Sequence, residues 1–577
     1  MRTSTVTPAI YKHTNRIAEL LLCSFGPLFI VAGMLIFTGM GLRDPWPADE
    51  PRFALIAKEM VETGQWLFPA RAQELYPDKP PIFMWTIAIF YWLTGSIRVS
   101  FLMPSAISGL LTLFLVYDIG KRLWSKEVGL VAGWLLLFSF QFLLQAKTAQ
   151  IDATVSAWMM IGCYGILRYA LVDGKYRWYV LAWFFMGIGV ITKGVGFLPM
   201  LMLIPLVFYR YQAKASQSPV SYSHWTWWMG PLIMLGAIGL WVIPMLIVVA
   251  QSDNTAFEMY RDNILFKQTV TRYADSWHHL KPAYYYVTSV IPVFWLPLSL
   301  AIPLLIKPWL SAFKSLDPRI ILPLSWVVLV IIFFSISPGK RGVYILPALP
   351  MLVLSVAPYY QQLFSKKGLK RFLFVLVACL SMALTVFGIL GLLDVAAVAK
   401  LAAKIEVTPW YFFLCIGGLS TAGLLYAFIY NKWLAWPIFF AVLWTTYSTY
   451  GYVLRNEVST PRAIYETAKP FLSDSAEIAL VDYSEQFILL SPYPMYHFGY
   501  NTPLKYQLEA AYHWQSKDNQ YLIIEDKLID QACFDMEQSI DLGFAHRRHW
   551  ILLPSAAKKA DCGYKQSQHP VYFYQHK

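Results

Sequence analysis

Residues 17–42 read IAELLLCSFGPLFIVAGMLIFTGMGL and open into Arg43-Asp-Pro-Trp-Pro-Ala-Asp49-Glu50-Pro51-Arg52-Phe53. An apolar run of this length exceeds the ~20 residues that a bilayer core requires. No small-residue cleavage site follows it, so it reads as a first span and not as a removed signal. Arg2, Lys12 and Arg16 precede it, which predicts a cytoplasmic N-terminus. The rest of the 577 residues has the same character. Hydrophobic residues make up 57% and charged residues 14%, against ~45–50% and ~25% in soluble proteins. So much apolar surface excludes a soluble globular chain, a disordered one, a collagen-like repeat and a small disulfide scaffold. The 47 Lys and Arg exceed the 34 Asp and Glu, for a net charge of +13. In such a chain that surplus belongs to cytoplasmic loops, and no nucleic-acid partner is expected.

Thirteen further apolar runs follow, near 81–95, 99–118, 128–146, 153–171, 178–192, 194–209, 228–250, 284–306, 320–337, 343–361, 372–393, 410–430 and 433–453. Short basic loops carry Lys121, Arg122 and Lys126; Lys175 and Arg177; Arg210 and Lys214; Lys307, Lys314 and Arg319; Lys366, Lys367, Lys370 and Arg371; and Lys432. Longer loops of mixed charge lie at 43–80, 251–283 and 394–409. The first kind belongs inside and the second outside. Parity then requires 81–118 to cross once although it holds two apolar runs. The run 81–95, opened by Pro80-Pro81, is expected to lie along or dip into the outer leaflet. About 13 crossings result. From about Leu454 short apolar segments alternate with helical stretches, which predicts a small α/β domain outside the membrane. The expected division is 1–453, the transmembrane domain with loop 43–80 as its catalytic loop, and 454–577, the soluble domain. No CxxC or Cys/His zinc pattern exists. Cys533 and Cys562 are the only cysteines of the exported tail, and an oxidising compartment predicts a disulfide between them.

Four features place ionisable residues on the outer face. In loop 43–80, Asp49 stands at an N-cap position, Pro51 in the first turn, and Gly64 at the end of a helix. Phe53, Ile56, Ala57 and Met60 form a stripe suited to a membrane surface. Asp49 reads either as the cap of that helix or as a functional carboxylate, and Arg52, Tyr76, Asp78 and Lys79 keep it company. A carboxylate and cations at a bilayer interface suit a phosphate-bearing lipid. Asp152 sits at the mouth of the next outward-facing span, as a cap or a functional acid. Loop 251–283 carries Glu258, Arg261, Lys267, Arg272, His278 and His279. Finally, Pro338-Gly-Lys340-Arg341-Gly-Val-Tyr344 puts two cations outside, against the positive-inside trend. Charges within the spans are few and near their ends, which argues against an ion-coupled transporter.

Pro47-Ala-Asp-Glu-Pro-Arg-Phe, Tyr76-Pro-Asp-Lys-Pro, Ile151-Asp-Ala, Ile191-Thr-Lys-Gly and Gly-Val-Tyr344-Ile-Leu-Pro together resemble the bacterial aminoarabinose transferase (ArnT) and protein O-mannosyltransferase-like family. These are GT-C membrane glycosyltransferases that use polyprenyl-phosphate sugars. The resemblance covers about residues 40–350. It implies a mainly α, polytopic GT-C fold in the bacterial inner membrane. It also implies Asp49 and Asp152 as catalytic acids. Arg52 and Lys79 match cations that hold the donor phosphate, and Tyr76 and Tyr344 aromatics near it; Lys340-Arg341-Gly-Val replaces a Lys-Leu-Pro-Thr-like run of the family, and Lys340 and Arg341, the two cations set against the positive-inside trend, are expected to bind substrate. Asp78 and His279 stand where that family holds a divalent metal ion. Asp78 replaces the usual Glu and Phe53 the usual Tyr. The expected activity is inverting transfer of a sugar from polyprenyl phosphate to lipid A or another lipid or glycan acceptor. An O-antigen-ligase-like or protein O-glycosylating transferase, and a lipid or solute transporter, are the rival readings.

Overall fold

The computed structural model describes residues 24–212, 224–271, 280–405, 407–546, 548–560, 562–564 and 569–576. Arg2, Lys12, Arg16, Lys214, Arg272, His278 and His279 lie outside the described residues. Most of the chain is helical and forms a bundle with one extended apolar core.

Among the described residues, five helices are each long and apolar enough to cross a bilayer: Ile97–Leu123, Thr226–Gln251, Pro318–Ile336, Lys367–Leu392 and Trp410–Ile429. Lys126–Leu137 and Phe140–Ala146 form a bent pair, at 71°, that makes a sixth if it is counted as one span. Runs 153–171 and 178–192 build helices Ile151–Leu171 and Tyr176–Lys193, several of the others build shorter pieces, and proline explains one of these. The run 284–306 contains Pro292, Pro297 and Pro303. There the chain breaks into Tyr286–Val290, Ile291–Phe294, Leu298–Leu300 and Ile302–Lys314, as expected where a ring removes an amide donor and clashes with the preceding turn. The run 81–95 becomes a 13-residue helix, Ile82–Thr94. At ~1.5 Å per residue it falls short of a bilayer core.

Two ends of the bundle are distinguished by their charges. Helix Ile151–Leu171 starts at Asp152 and ends at Arg168. At the Arg168 end, Arg168 and Tyr164 meet Asp118 of helix Met103–Leu123, and Asp118 also accepts from Arg122 at 2.6 Å. At the Asp152 end, the buried Lys147 ammonium caps helix Phe25–Phe37, donating to the carbonyls of Leu35, Ile36 and Thr38 at 2.7–3.0 Å. A lysine there satisfies carbonyls that a helix end otherwise leaves without partners.

The tail holds a mixed six-stranded sheet. Loop 43–80 supplies a small hairpin, β1 (Ala70–Arg71) and β2 (Glu74–Leu75), and the tail strands are β3 (Glu477–Leu480), β4 (Met495–His497), β5 (Gln520–Glu525), β6 (Ile540–Ala545), β7 (Arg548–Leu553) and β8 (Tyr572–Tyr574). The order is β6-β7-β5-β3-β4-β8, with β3 parallel to β4 and β5 and the outer pairs antiparallel. Alternation along β3 sends Ala479 and Val481 into one core with Leu508 and Ala511 of helix Leu504–Trp514. Ile478 and Leu480 enter another core, which contains Phe53, Ala54, Ala57 and Met60. Cys533 and Cys562 form the expected disulfide, with Cα atoms 5.8 Å apart.

That second core corrects one expectation. Helix Glu50–Thr63 forms as read, with Pro51 in its first turn and Gly64 left-handed at its end. Its apolar stripe, however, is fully buried beneath the tail sheet and against Phe83, and does not lie on a membrane surface. A stripe of that width demands burial; the tail supplies the cover that the bilayer was expected to supply.

Candidate active site

Asp49 closes the approach to helix Glu50–Thr63, yet its side chain makes no capping bond. Its backbone is already helical, which turns the carboxylate away from the first-turn amides. Oδ2 instead accepts from Arg341 Nη2 at 3.0 Å, and Oδ1 stands 3.9 Å from Arg52. The neighbouring Glu50 does the structural work. It is buried, pairs with Arg43 through both oxygens, and accepts the backbone amides of Trp46 and Ala149 at 2.9 Å. The Ala149 bond fixes the start of the helix that follows Asp49 to the turn before Asp152. Asp44, likewise buried, holds Arg98 and Arg462 in bidentate pairs at 2.7–3.1 Å. It joins the start of the loop to the tail.

Asp152 occupies the first turn of its helix and is 6% exposed. Its partner is Lys193, the last residue of helix Tyr176–Lys193. Each charge sits at the helix end whose dipole favours it. The Lys193 ammonium lies 4.6 Å from the centre of the Tyr344 ring. It is also within electrostatic reach of Arg341 and Asp49, as Arg341 is of Asp152. Asp49, Arg341, Asp152, Lys193 and Tyr344 therefore form one cluster. Sequence reading left Lys193 out of the site because a lysine closing an apolar run looks like an ordinary span end. The Ile191-Thr-Lys-Gly segment carried the only signal. The buried hydroxyl of Tyr286, near Tyr344 and Asp152, has no hydrogen-bond partner.

A second cluster lies where the loop meets the tail. Glu485 of the tail accepts from Arg52 at 2.8 Å and from Arg71 at 3.4 Å. The Arg71 guanidinium stacks 3.6 Å from the Tyr500 ring centre and 5.2 Å from that of Tyr76. Tyr76 is buried, which together with nearby Asp78 pushes its phenol up, against the pull of Arg52 and Arg71. Lys79 is half-buried beside it. Arg52 thus belongs to both clusters, whereas Lys340 belongs to neither. The Lys340 ammonium is buried and donates to the carbonyls of Lys281 and Ser337. Lys340 thus closes the 337–340 turn over the Leu280–Gly339 bridge, and Arg341 is the one of the pair that pairs with Asp49.

Among the described residues, no three His, Cys, Asp or Glu side chains converge as a metal site. Asp78 has the phenols of Tyr76 and Tyr260 within electrostatic reach, and His279 lies outside the described residues. Of the two residues expected to hold a metal, Asp78 alone lies among the described residues.

The sequence and the fold have known counterparts. Residues 78–247 match the family described as dolichyl-phosphate-mannose-protein mannosyltransferase. Aminoarabinose transferases, named undecaprenyl phosphate-α-4-amino-4-deoxy-L-arabinose arabinosyl transferases, match from Serratia proteamaculans (28% identical over 321 residues) and Yersinia pestis (29% over 322). Each alignment covers 54% of this chain, and it spans about half the length of those relatives, 55%. The ArnT crystal structure from Cupriavidus metallidurans bound to undecaprenyl phosphate superposes with a TM-score of 0.69, at 18% identity, over 95% of this chain and all of that one. Its apo form gives 0.67. The fold is that of the ArnT structure, in a membrane protein with several apolar helices, and the sequence is similar to the aminoarabinose transferases over about half of the chain.

Proposed function

We propose that this protein is an inverting glycosyltransferase. It moves a sugar from undecaprenyl phosphate to lipid A or another envelope glycan at the periplasmic face of the inner membrane. The observation that carries this reading is the joining of Asp49–Arg341 to Asp152–Lys193 at one end of a bundle that superposes on an undecaprenyl-phosphate-bound ArnT.

The reaction is one displacement. An acceptor oxygen attacks the anomeric carbon, and the bond from that carbon to the phosphate oxygen breaks. The electron pair leaves on a phosphate, so no acid need protonate it, and cations stabilise the charge instead. Arg341, Arg52, Lys79, Tyr76 and Tyr344 surround that position in this reading. Arg341 holds the Asp49 carboxylate at rest; a donor phosphate competes for the same guanidinium and releases Asp49. A free Asp49 then takes the proton of a hydroxyl acceptor, or orients an acceptor phosphate, which is anionic already. Asp152 holds the Lys193 ammonium against Tyr344.

In the same reading the N-terminus, loops 119–127 and 362–371 are cytoplasmic, loop 43–80 and the tail 454–577 are periplasmic, and the chain crosses about 13 times. Asp152 and Arg168 at opposite ends of one helix support that polarity. The test of function is purified protein with synthetic undecaprenyl-phosphate sugars and a lipid A acceptor, read by mass spectrometry. Absence of sugar transfer alongside movement of lipid or solute would select the transporter reading. Cysteines placed at 121–126 that label from outside intact cells would overturn the polarity.

A further inference from the structure

Arg341 reaches Asp49 from a turn that is tied down on both sides. Before it, the Lys340 ammonium donates to the carbonyls of Lys281 and Ser337. After it, the Gly342 carbonyl accepts from Gln141 Nε2 at 2.9 Å, across 201 positions of sequence. The other end of the same amide is also used: Gln141 Oε1 accepts from the Trp295 indole at 2.6 Å. Gln141 and Trp295 are both buried. A buried amide bonded at both ends holds its partners in one arrangement, because breaking either bond leaves a buried polar group unpaired.

Gln141 stands there because its helix starts there. The chain bends by 71° between Lys126–Leu137 and Phe140–Ala146. A helix start leaves its first amides without intrahelical partners, and the Leu296 carbonyl accepts the Phe140 amide at 3.2 Å. That bond docks the helix on the proline-broken segment that carries Trp295. One residue on, Gln141 joins the indole to the Gly342 turn. The consequence falls on Arg341. In the reaction proposed above, its guanidinium pairs with Asp49 at rest and with the donor phosphate afterwards. Such an exchange is efficient when the side chain swings from a fixed backbone, since a loose turn would have to be ordered at each binding event and would weaken the donor's hold. Space for the swing is present: a cavity of about 220 Å³ borders Arg341, with Gln141, Tyr285 and Phe294 in its wall.

We infer that Gln141 is a positioning residue for the donor: by holding the Gly342 carbonyl it fixes the turn from which Arg341 reaches the donor phosphate. The inference rests on the glycosyltransferase reading above and adds a residue to it. Its test is a double-mutant cycle on full-length protein in detergent, with bare undecaprenyl phosphate as the probe. Arg341→Ala should weaken binding by at least about tenfold, the loss of a charge-assisted contact. Gln141→Met keeps an unbranched side chain of similar length and removes both bonds. It should weaken binding by about three- to tenfold in the parent, the worth of one hydrogen bond. In the Arg341→Ala protein the same change should matter by less than about twofold, because the residue it acts through is gone. Trp295→Phe removes only the indole donor and should act in the same direction with a smaller effect; it is read by the same criterion if Gln141→Met does not fold. A purely structural Gln141 would weaken binding equally in both backgrounds. That result, or parent affinity in the Gln141 and Trp295 variants, would overturn the inference and leave the glycosyltransferase reading standing. Arg341→Ala with parent affinity would overturn the donor contact of Arg341 and the inference with it. A parent that does not bind the carrier at all would overturn both the inference and the reading.

Discussion

Asp49 can act as a helix cap or as a reacting carboxylate, and Asp49→Asn separates the two. Asn is itself a good N-cap, and the native carboxylate makes no capping bond, so the variant should fold with parent stability. Transfer should fall by at least about a hundredfold, the usual contribution of a positioned acid or base. Binding of undecaprenyl phosphate should hold or tighten, because Arg341 loses its competitor. Turnover near the parent rate would make Asp49 a bystander. The Asp152–Lys193 pair calls for a double substitution. Lys193→Met leaves Asp152 buried without its cation, a loss of about 3–5 kcal/mol, and adding Asp152→Asn should restore most of it. Thermal unfolding of the four proteins in detergent measures this; a single variant as stable as the double would show that the pair is not coupled. Both acids were legible in sequence because each stands at a loop–span junction among other charges. The roles of Lys193 and Lys340 were not. Whether a lysine reaches a carboxylate or folds back on carbonyls depends on chain brought in from far along the sequence.

Helix Glu50–Thr63 shows how far periodicity carries. The 3.6-residue pattern, Pro51 and Gly64 set its start, its end and its buried face. They carry no information on what covers that face. The cover comes from β3, β5 and β7, more than 400 residues away, and with it comes Glu485. One glutamate in an unremarkable tail segment had no sequence signal, yet it neutralises Arg52 and the buried Arg71 together. Glu485→Gln keeps the shape and removes the charge. Hydrogen bonds to charged groups contribute about 1.5–3 kcal/mol, so amide exchange should quicken by about ten- to a hundredfold across β1, β2 and β4 while the bundle helices stay protected. Unchanged exchange in β1 and β2 would mean that the apolar core alone holds the loop to the tail. The same variant should bind bare undecaprenyl phosphate more tightly if Arg52 contacts the donor phosphate, because its guanidinium no longer has the Glu485 carboxylate to leave.

Seen whole, the protein is a membrane bundle whose loop 43–80 is sandwiched under a sheet built from the last hundred residues, and the seam between them is expected to weaken in acid. His497 is fully buried in it: Nε2 donates to the Ala72 carbonyl at 2.8 Å, and Nδ1 accepts the Gly499 amide at 3.2 Å. Both nitrogens are used by the neutral ring. Burial lowers its pKa to about 4, helped by Arg71 and opposed by the bond to Ala72. Burial also lowers His546 and His576 to about 4; His576 accepts from Lys58 of the loop helix at 2.8 Å. Between about pH 6.5 and 4 the unfolded chain takes up protons that these rings refuse. Stability from these three groups is therefore present above pH 6.5 and lost as pH falls toward 4, at up to about 1.4 kcal/mol per pH unit for His497. Glu59 runs the other way. Burial raises its carboxyl to about 7, so the folded state keeps a proton that the unfolded one has lost. Its contribution falls as pH rises from about 4.5 to 7. Asp44, held low by Arg462 and Arg98 against its burial, is lost only below the usual carboxylate range, outside this window. Three groups against one give net acid lability. The melting temperature of the purified protein should fall steadily from pH 7 to 5, and His497→Gln, whose amide can still donate to Ala72, should flatten that slope. A variant with the parent's slope would show that protonation at this seam does not limit stability.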